Sequence, residues 1–584
     1  MRDKILQIFR CLLALALVSS PALGGSNIGD QELVPLQNRG TATIPSGPMA
    51  DSAGDPSLEI AVEADLEEFT QLRDEAALPG PAPAVVPQPP NNPIALVNPG
   101  FSGFSGITHL DQRNAGTGGF ANTQFSLEPP DQGLCVGNGF VLDVVNTAFS
   151  IYSSTGVRLQ GPIALNQFFH LAPEVTRPPR PLRFGDFTSD PRCLFDRATN
   201  RWFQTLLQLD VDPVSGDFTG GTSLLIAVSK TGDPTGGWNL FRIDTTDDGA
   251  AGTCPCFGDQ PLIGANRDGF FLSTNAFSLV TGGFVGVQLY AISKAALANG
   301  TARAAVHIGN LQTAGGLPFS VQPAATAMGD EEGDSGTEFF AGLFDIRQQF
   351  QNKLTVWALT GTRSLRSASP RLRLSNSAVG TEVFTRAPPA TQKQATGARR
   401  FRLDTGGTRL QQVTFARGKL WTALTTAVQS PGETTARAGI AFFIINAEAN
   451  DNEVEARVKN QGYIAVQNAN IFYPAVAVNQ QGQALIGFSL SGPNNFPSAA
   501  YAQLDEKGNA GAVHIAADGF AQDDGFTGKG ASGVGRWGDY SAATSAEDGS
   551  LWFATEFIPN APRNASANWG TFVTRVAAKP EDTD

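Results

Sequence analysis

The stretch Phe257–Phe277, FGDQPLIGANRDGFFLSTNAF, returns near the other end of the chain as Trp537–Phe557, WGDYSAATSAEDGSLWFATEF. Both copies run Gly-Asp, a short apolar segment, a turn ending in Asp-Gly (Asp268-Gly269, Asp548-Gly549) and an apolar-aromatic strand. Asp-Gly between two apolar runs is a strong hairpin signal, because the favoured two-residue turn needs left-handed backbone. One hairpin recurring across much of the chain predicts a fold built by repetition.

Working outward from this pair, related units begin at Pro129 (PPDQGLCVGNGFVLDVVN), Ser189 (SDPRCLFDRATNRWFQTLL), Phe257, Gln322 (QPAATAMGDEEGDSGTEFFAGLF), Arg409 (RLQQVTFARGKLWTALT), Ile471 (IFYPAVAVNQQGQALIGFSL) and Arg536. A third β-rich run follows most hairpins: SLLIAVSKTG, VQLYAISKA, LTVWALTGT, IAFFIINAE, SAAYAQLDE and TFVTRVAAK. A lone four-stranded sheet cannot bury both faces, whereas sheets packed around an axis can, with protected edges. The reading is therefore all-β, a seven-bladed β-propeller, with six or eight blades as alternatives. A pair of β-sandwiches would explain the strands but not the recurrence. Because TFVTRV is nearly the last ordered run, the final blade lacks an outer strand, and a segment within 94–128 is expected to supply it.

The 584-residue chain carries 64 Gly, 16% charged residues and a formal charge of -13. Its opening, MRDKILQIFRCLLALALVSSPALGG, has a basic start, a short apolar run and small residues, which reads as a secretory signal peptide over 1–24. The predicted location is extracellular or periplasmic, without a transmembrane segment and as a monomer. Residues 25–93 are acidic and end in PGPAPAVVPQPPNNP, so they read as a disordered tail before a propeller over 94–580. Within the tail, VEADLEEFTQLRDEAA could form one short helix. So acidic a chain is a poor partner for nucleic acid, which is held by Lys and Arg; the basic group Arg399, Arg400 and Arg402 reads as a solvated loop.

Export favours disulfides. Cys135 and Cys193 hold similar places in successive units, so a bridge between them is the first choice. Cys254-Pro255-Cys256 is then a local pair or two free thiols. No His lies nearby in sequence to suggest a zinc site.

Acidic residues stand just before the first strand of several units: Asp131, Asp190, Asp259 and Asp539, with Tyr473 in that place in the sixth. The second strand returns beside this point, so Asn146, Asn275 and Glu556 should share a face with Asp131, Asp259 and Asp539. Propeller symmetry would gather them at one mouth of the central channel. Such a ring could bind Ca2+ through Asp131, Asp259 and Asp539, or sugar hydroxyls; alternatively each Asp caps its own turn. Arg536, Trp537, Asp539 and Tyr540 add a cation, two aromatics and a carboxylate, although Trp537 and Tyr540 also suit packing between blades. The candidate ligand set is Asp131, Asn146, Asp190, Asp259, Asn275, Arg536, Asp539, Tyr540 and Glu556. The four His residues stand apart in sequence, and neither a His-x-x-x-His pair nor a Gly-x-Ser-x-Gly elbow supplies hydrolase machinery.

Thr231-Gly232-Asp233-Pro234-Thr235-Gly236-Gly237-Trp238 resembles a degenerate Asp-box, a structural turn of sialidase-like propellers. Together with the units at Pro129, Ser189, Gly258 and Arg536, it makes roughly residues 129–577 similar to secreted bacterial sialidase-like propeller proteins of unassigned function. The resemblance implies export and a propeller scaffold, and carries no catalytic assignment. Arg192, Arg536, Tyr473, Tyr540, Glu556 and Asp259 could be arranged as a sialidase set, but the Arg-Ile-Pro motif of those enzymes is absent. The leading expectation is a non-catalytic propeller that binds a glycan or an extracellular protein at the channel mouth. A sialidase-like glycoside hydrolase or polysaccharide lyase, and a cell-envelope interaction scaffold, are the alternatives.

Overall fold

A computed structural model describes residues 29–47, 86–249, 252–327, 336–347, 350–395, 401–450, 453–505, 507–527, 533–563 and 566–579. The signal peptide, the short helix expected in the tail, and Arg399 and Arg400 lie outside these residues. Among the described residues the strands pair into seven antiparallel units. Their innermost strands are Gly133–Gly137, Phe187–Asp196, Cys256–Ala265, Phe319–Thr326, Gln412–Ala416, Asn470–Val478 and Ala542–Ser545. Each touches the next in chain order, and the seventh returns to the first, which closes a ring. Inner strands run parallel to one another where they pair, at Ala265 with Ala325 and Ala324 with Val413. This is a β-propeller, and the sandwich alternative fails on ring closure.

Face-to-face packing explains why the second strands are buried almost throughout. Gly269–Ser278 and Leu551–Phe557 are buried at every position, because each such sheet has a neighbour on both faces. Separate apolar cores fill the gaps between units. Trp202 and Trp238 pack against Phe149 and Phe168 between the first and second; Trp552 packs against Val141 and Tyr152 between the seventh and first. The Asp-box turn serves this packing, with Trp238 Nε1 donating to Pro234 O at 3.0 Å.

Closure of the ring follows the sequence reading. Phe101–Thr108 supplies the outer strand of the seventh unit, pairing antiparallel with Gly570–Val576. Beneath it, Ile107 N–H and Thr571 Oγ1 both donate to Asp143 Oδ2, at 2.8 and 2.6 Å. A Cβ on Gly106 would stand 2.1 Å from that same oxygen, so only glycine lets the strand come this close. Cys135 and Cys193 form the expected disulfide between the first two inner strands, and Cys254 pairs with Cys256.

One expectation needs correction. The segment 29–47 is not a disordered tail: Asp30–Pro35 adds a fifth strand beside Ala304–Gly309, and Gln37–Thr43 a fifth beside Gly237–Asp244. Pro87 O accepts from Gln429 N–H, and Asn92 and Ala95 bond the outer edges of the fifth and sixth units, so the ordered chain also begins before residue 94. Composition misleads because an outer strand is held by its backbone. Its side chains face water, as Gln31, Glu32 and Arg39 do, while its N–H and C=O groups satisfy an otherwise open sheet edge. Only Leu36 and Ala42 of this segment are fully buried.

Candidate functional site

The acidic positions expected before the inner strands sit at or beside a repeated irregularity, with Asp190 and Asp259 inside their strands. Asp131, Asp190, Gln260, Ser320 and Tyr473 all have positive φ, between 46° and 56°. The register slips at that point in the second, third, fourth and sixth units. These are β-bulges that re-aim one residue per strand. In the third unit the left-handed residue is Gln260, not Asp259; Pro261 follows it, as Pro191 follows Asp190. Asp259 instead pairs across its hairpin with Asn275, the neighbour expected for it.

Bulging turns backbone N–H groups toward the adjoining unit, where side chains receive them. Asn146 Oδ1 accepts from Asp190 N–H at 2.9 Å, Asp190 Oδ2 from Gln260 N–H at 3.0 Å, and Asn275 Oδ1 from Ser320 N–H at 2.9 Å. Further round, Gln322 Nε2 donates to Leu410 O, Thr425 Oγ1 accepts from Tyr473 N–H, and Trp537 Nε1 donates to Ser489 Oγ. Asp131 Oδ1 completes the circuit by accepting from Asp539 N–H at 2.9 Å. Every junction between consecutive units thus carries a side-chain hydrogen bond near this rim. Thr425, Ser489 and Gln322 escaped the sequence reading, since single polar residues inside apolar strands carry no spacing signal.

Charge concentrates where the seventh, first and second units meet. Asn146 Nδ2 donates to Asp131 Oδ2 at 2.8 Å, and Gly538 N–H to Glu556 Oε2 at 2.7 Å. Arg536 pairs with Asp539 at 3.3 Å. The Arg192 guanidinium lies over the Tyr540 ring, 3.4 Å from its centroid, while Tyr540 Oη donates to Pro191 O at 3.1 Å. Burial first, then the charges of Asp539 and Asp190, push the Asp131 carboxyl well above the usual carboxylate range. Glu556 is raised for the same first reason, with Asp523, Glu128 and Asp131 adding to it and the Gly538 N–H opposing. Asp131, Asn146, Asp190, Arg536, Asp539, Tyr540 and Glu556 therefore do converge, while Asp259 and Asn275 stand at the junction of the third and fourth units.

The rim is not an open mouth. Two insertions, the described parts of 386–410 and 518–536, meet over it: Arg402–Leu403 pairs in parallel with Val534–Gly535, and Gln392 Oε1 accepts from Asp523 N–H. Glu128, which sequence reasoning missed, anchors the second insertion by accepting N–H bonds from Phe526 and Thr527 at 2.7 and 2.9 Å. A Cβ on Gly525 would collide with that carboxylate. Phe401, Leu403 and Ala390 pack on Tyr473 and Trp537, so both aromatics serve packing. Asp131 and Tyr540 are left 2% and 1% exposed. Among the described residues no three His, Cys, Asp or Glu side chains converge so as to hold a metal ion; the trio Asp131, Asp259 and Asp539 is split between junctions and does not assemble as a Ca2+ site.

Past the bulges, the inner strands of all seven units line an axial cavity of about 100 Å3. Arg192 and Gln322 mark its end nearest the rim; Arg197, exposed, stands toward the opposite face with Asn266 and Thr326. Gln412 reaches past the sixth unit to bond Ala543, donating to its carbonyl at 2.6 Å and accepting from its N–H at 3.0 Å. Among the described residues no helix is long and apolar enough to cross a membrane.

No protein-family model and no curated protein matches the chain. Among solved structures it is similar to an exo-β-1,3-galactanase from Clostridium thermocellum (9% identity, 80% of this chain and 99% of that one, TM-score 0.28). It is also similar to an α-L-arabinanase from Penicillium chrysogenum (12%, 67% and 93%, 0.29) and to the endosialidase of phage phi92 (9%, 78% and 68%, 0.32). Likeness at this level assigns no function.

Proposed function

We propose that this chain is an exported, non-catalytic β-propeller that binds a glycan or an extracellular protein, and that the ligand approaches the face opposite the acidic rim. The observation that carries this reading is how the rim is used. Asp131 and Asp190 each receive a backbone N–H of an adjoining unit, and two insertions cover them. A general acid or base must reach the proton it transfers, and these groups are occupied in holding blades together. The opposite face leads into the axial cavity and carries the hairpin turns, where Asn138, Arg197 and Arg417 are exposed.

One observation favours a second reading, a sialidase-like glycoside hydrolase or lyase. Asp131 and Glu556 are both raised in pKa beside Arg192 and Tyr540, and perturbed titration clusters at active sites. Glycan-array binding of the mature protein, run beside a reducing-end assay on a panel of polysaccharides, separates the two. Retention on the array without new reducing ends is expected. Hydrolysis that disappears in Asp131→Asn and in Glu556→Gln would replace binding by catalysis.

A further inference from the structure

Arg192 is the side chain that the rim network does not explain. Its residue is only 8% exposed. Among the described residues its guanidinium makes no ion pair and no hydrogen bond, and Nε is buried without a partner. One flat face is covered by the Tyr540 ring, which fixes the plane and leaves the edge with its N–H donors. Arg192 is one of the residues in the wall of the axial cavity. Asp190 and Asp131 act on it without forming an ion pair, and each gives one oxygen to a backbone N–H of an adjoining unit and the other to a side-chain donor, Ser189 Oγ and Asn146 Nδ2.

Burying a cation without a counter-charge is expensive, and proteins normally pair such groups. The rest of the wall does not supply the pair. Asp196, the acid among the lining residues, is tied to Lys294 Nζ at 2.7 Å and to Thr199. Apart from the exposed Arg197 toward the opposite face, the other polar liners are amides and hydroxyls, including Asn266, Thr326, Thr414 and Ser545. The wall of the cavity thus presents one guanidinium at its inner end and is polar along its length, inside a protein of strongly negative net charge.

We propose that the inner end of the axial channel is a binding site for a small anion of the carboxylate or oxyanion class, received by the donor edge of Arg192. A planar guanidinium fork matches such groups through paired N–H bonds, and the volume suits a terminal carboxylate better than a whole sugar. This deepens the reading above, on which its route of entry rests: the ligand offers an anionic tip to the channel from the face opposite the two insertions.

The test uses the mature protein at low ionic strength in a Tris buffer, titrated with sodium acetate and with sodium sulfate while calorimetry and thermal melting are followed. Saturable binding and a rise in Tm are expected, with acetate favoured if the natural ligand is an organic carboxylate and sulfate if it is an inorganic oxyanion. Arg192→Gln should weaken binding at least tenfold. Ala325→Leu, which narrows the channel from the inner strand of another unit, should do the same and guards against misfolding of the first variant. Unchanged titrations in Ala325→Leu and in folded Arg192→Gln, or no saturable binding by the wild type, would overturn the site. Retention of the wild type on the glycan array in that second case would show that the binding reading survives without the anion site.

Discussion

Asp143 Oδ2 accepts a 2.6 Å hydrogen bond from Thr571 Oγ1, across 428 residues of sequence. The bond joins the first unit to the seventh, and the strand that closes the ring rests on the same oxygen through Ile107 N–H. The carboxyl is fully buried, and burial raises its pKa to about 6.

That shift has a definite sign. Between about pH 4 and pH 6 the folded protein holds a proton on Asp143 that the unfolded chain has released, so the group's contribution is complete below about pH 4 and is lost as pH rises through 6. The change corresponds to roughly 3 kcal/mol. Glu174, raised by burial to about 8, acts in the same direction over a higher window. Urea unfolding followed from pH 4 to pH 8 should show stability falling across the range. Asp143→Asn should flatten the lower part of that profile. An unchanged slope in the variant would show that the carboxyl is not the titrating group.

The two disulfides should differ sharply in weight. Cys135–Cys193 closes a loop with a sequence separation of 58 and Cys254–Cys256 one of 2. Loop-closure entropy then assigns about 4 kcal/mol to the first and between 1 and 2, roughly, to the second. Chemical denaturation of the paired Cys→Ser variants should rank them in that order.

If the rim carboxylates are clasps, their shape matters more than their charge. Asp190→Asn keeps an oxygen for Gln260 N–H and should stay within about 1 kcal/mol of the parent. Asp190→Ala leaves a buried N–H without its partner and should cost about 1–3 kcal/mol. Equal losses in the two variants, read from unfolding midpoints, would mean that charge is what counts there.

Removing residues 29–47 uncovers the outer strands Gly237–Asp244 and Ala304–Gly309. Open edges template pairing with other chains. The shortened protein should fold, melt a few degrees lower, and associate with rising concentration in sedimentation velocity. A monomer at all concentrations would show that the added strands do not guard the edges.

What could be foreseen from the sequence follows a physical division. Hairpins at Asp268-Gly269 and Asp548-Gly549 were legible because turn chemistry is local. The need for a closing strand was legible because an incomplete sheet is visible as a missing run. Asp131 beside Asn146 could be placed because a hairpin returns to its own start. The strands at 30–43 and the covering insertions could not, since their anchors are backbone groups and single contacts such as Glu128 with Thr527, which leave no periodic trace. Gln260 in place of Asp259 shows the same limit, because a bulge shifts which neighbour faces the rim by one residue.

The closing strand also has a bearing on biosynthesis. Ile107 meets Thr571, 464 residues further along the chain, so a strand made early must wait without its partner until nearly all the rest has been synthesised. Ring closure therefore cannot precede synthesis of Gly570–Val576. That order keeps the ring open for as long as its last strand is still to come.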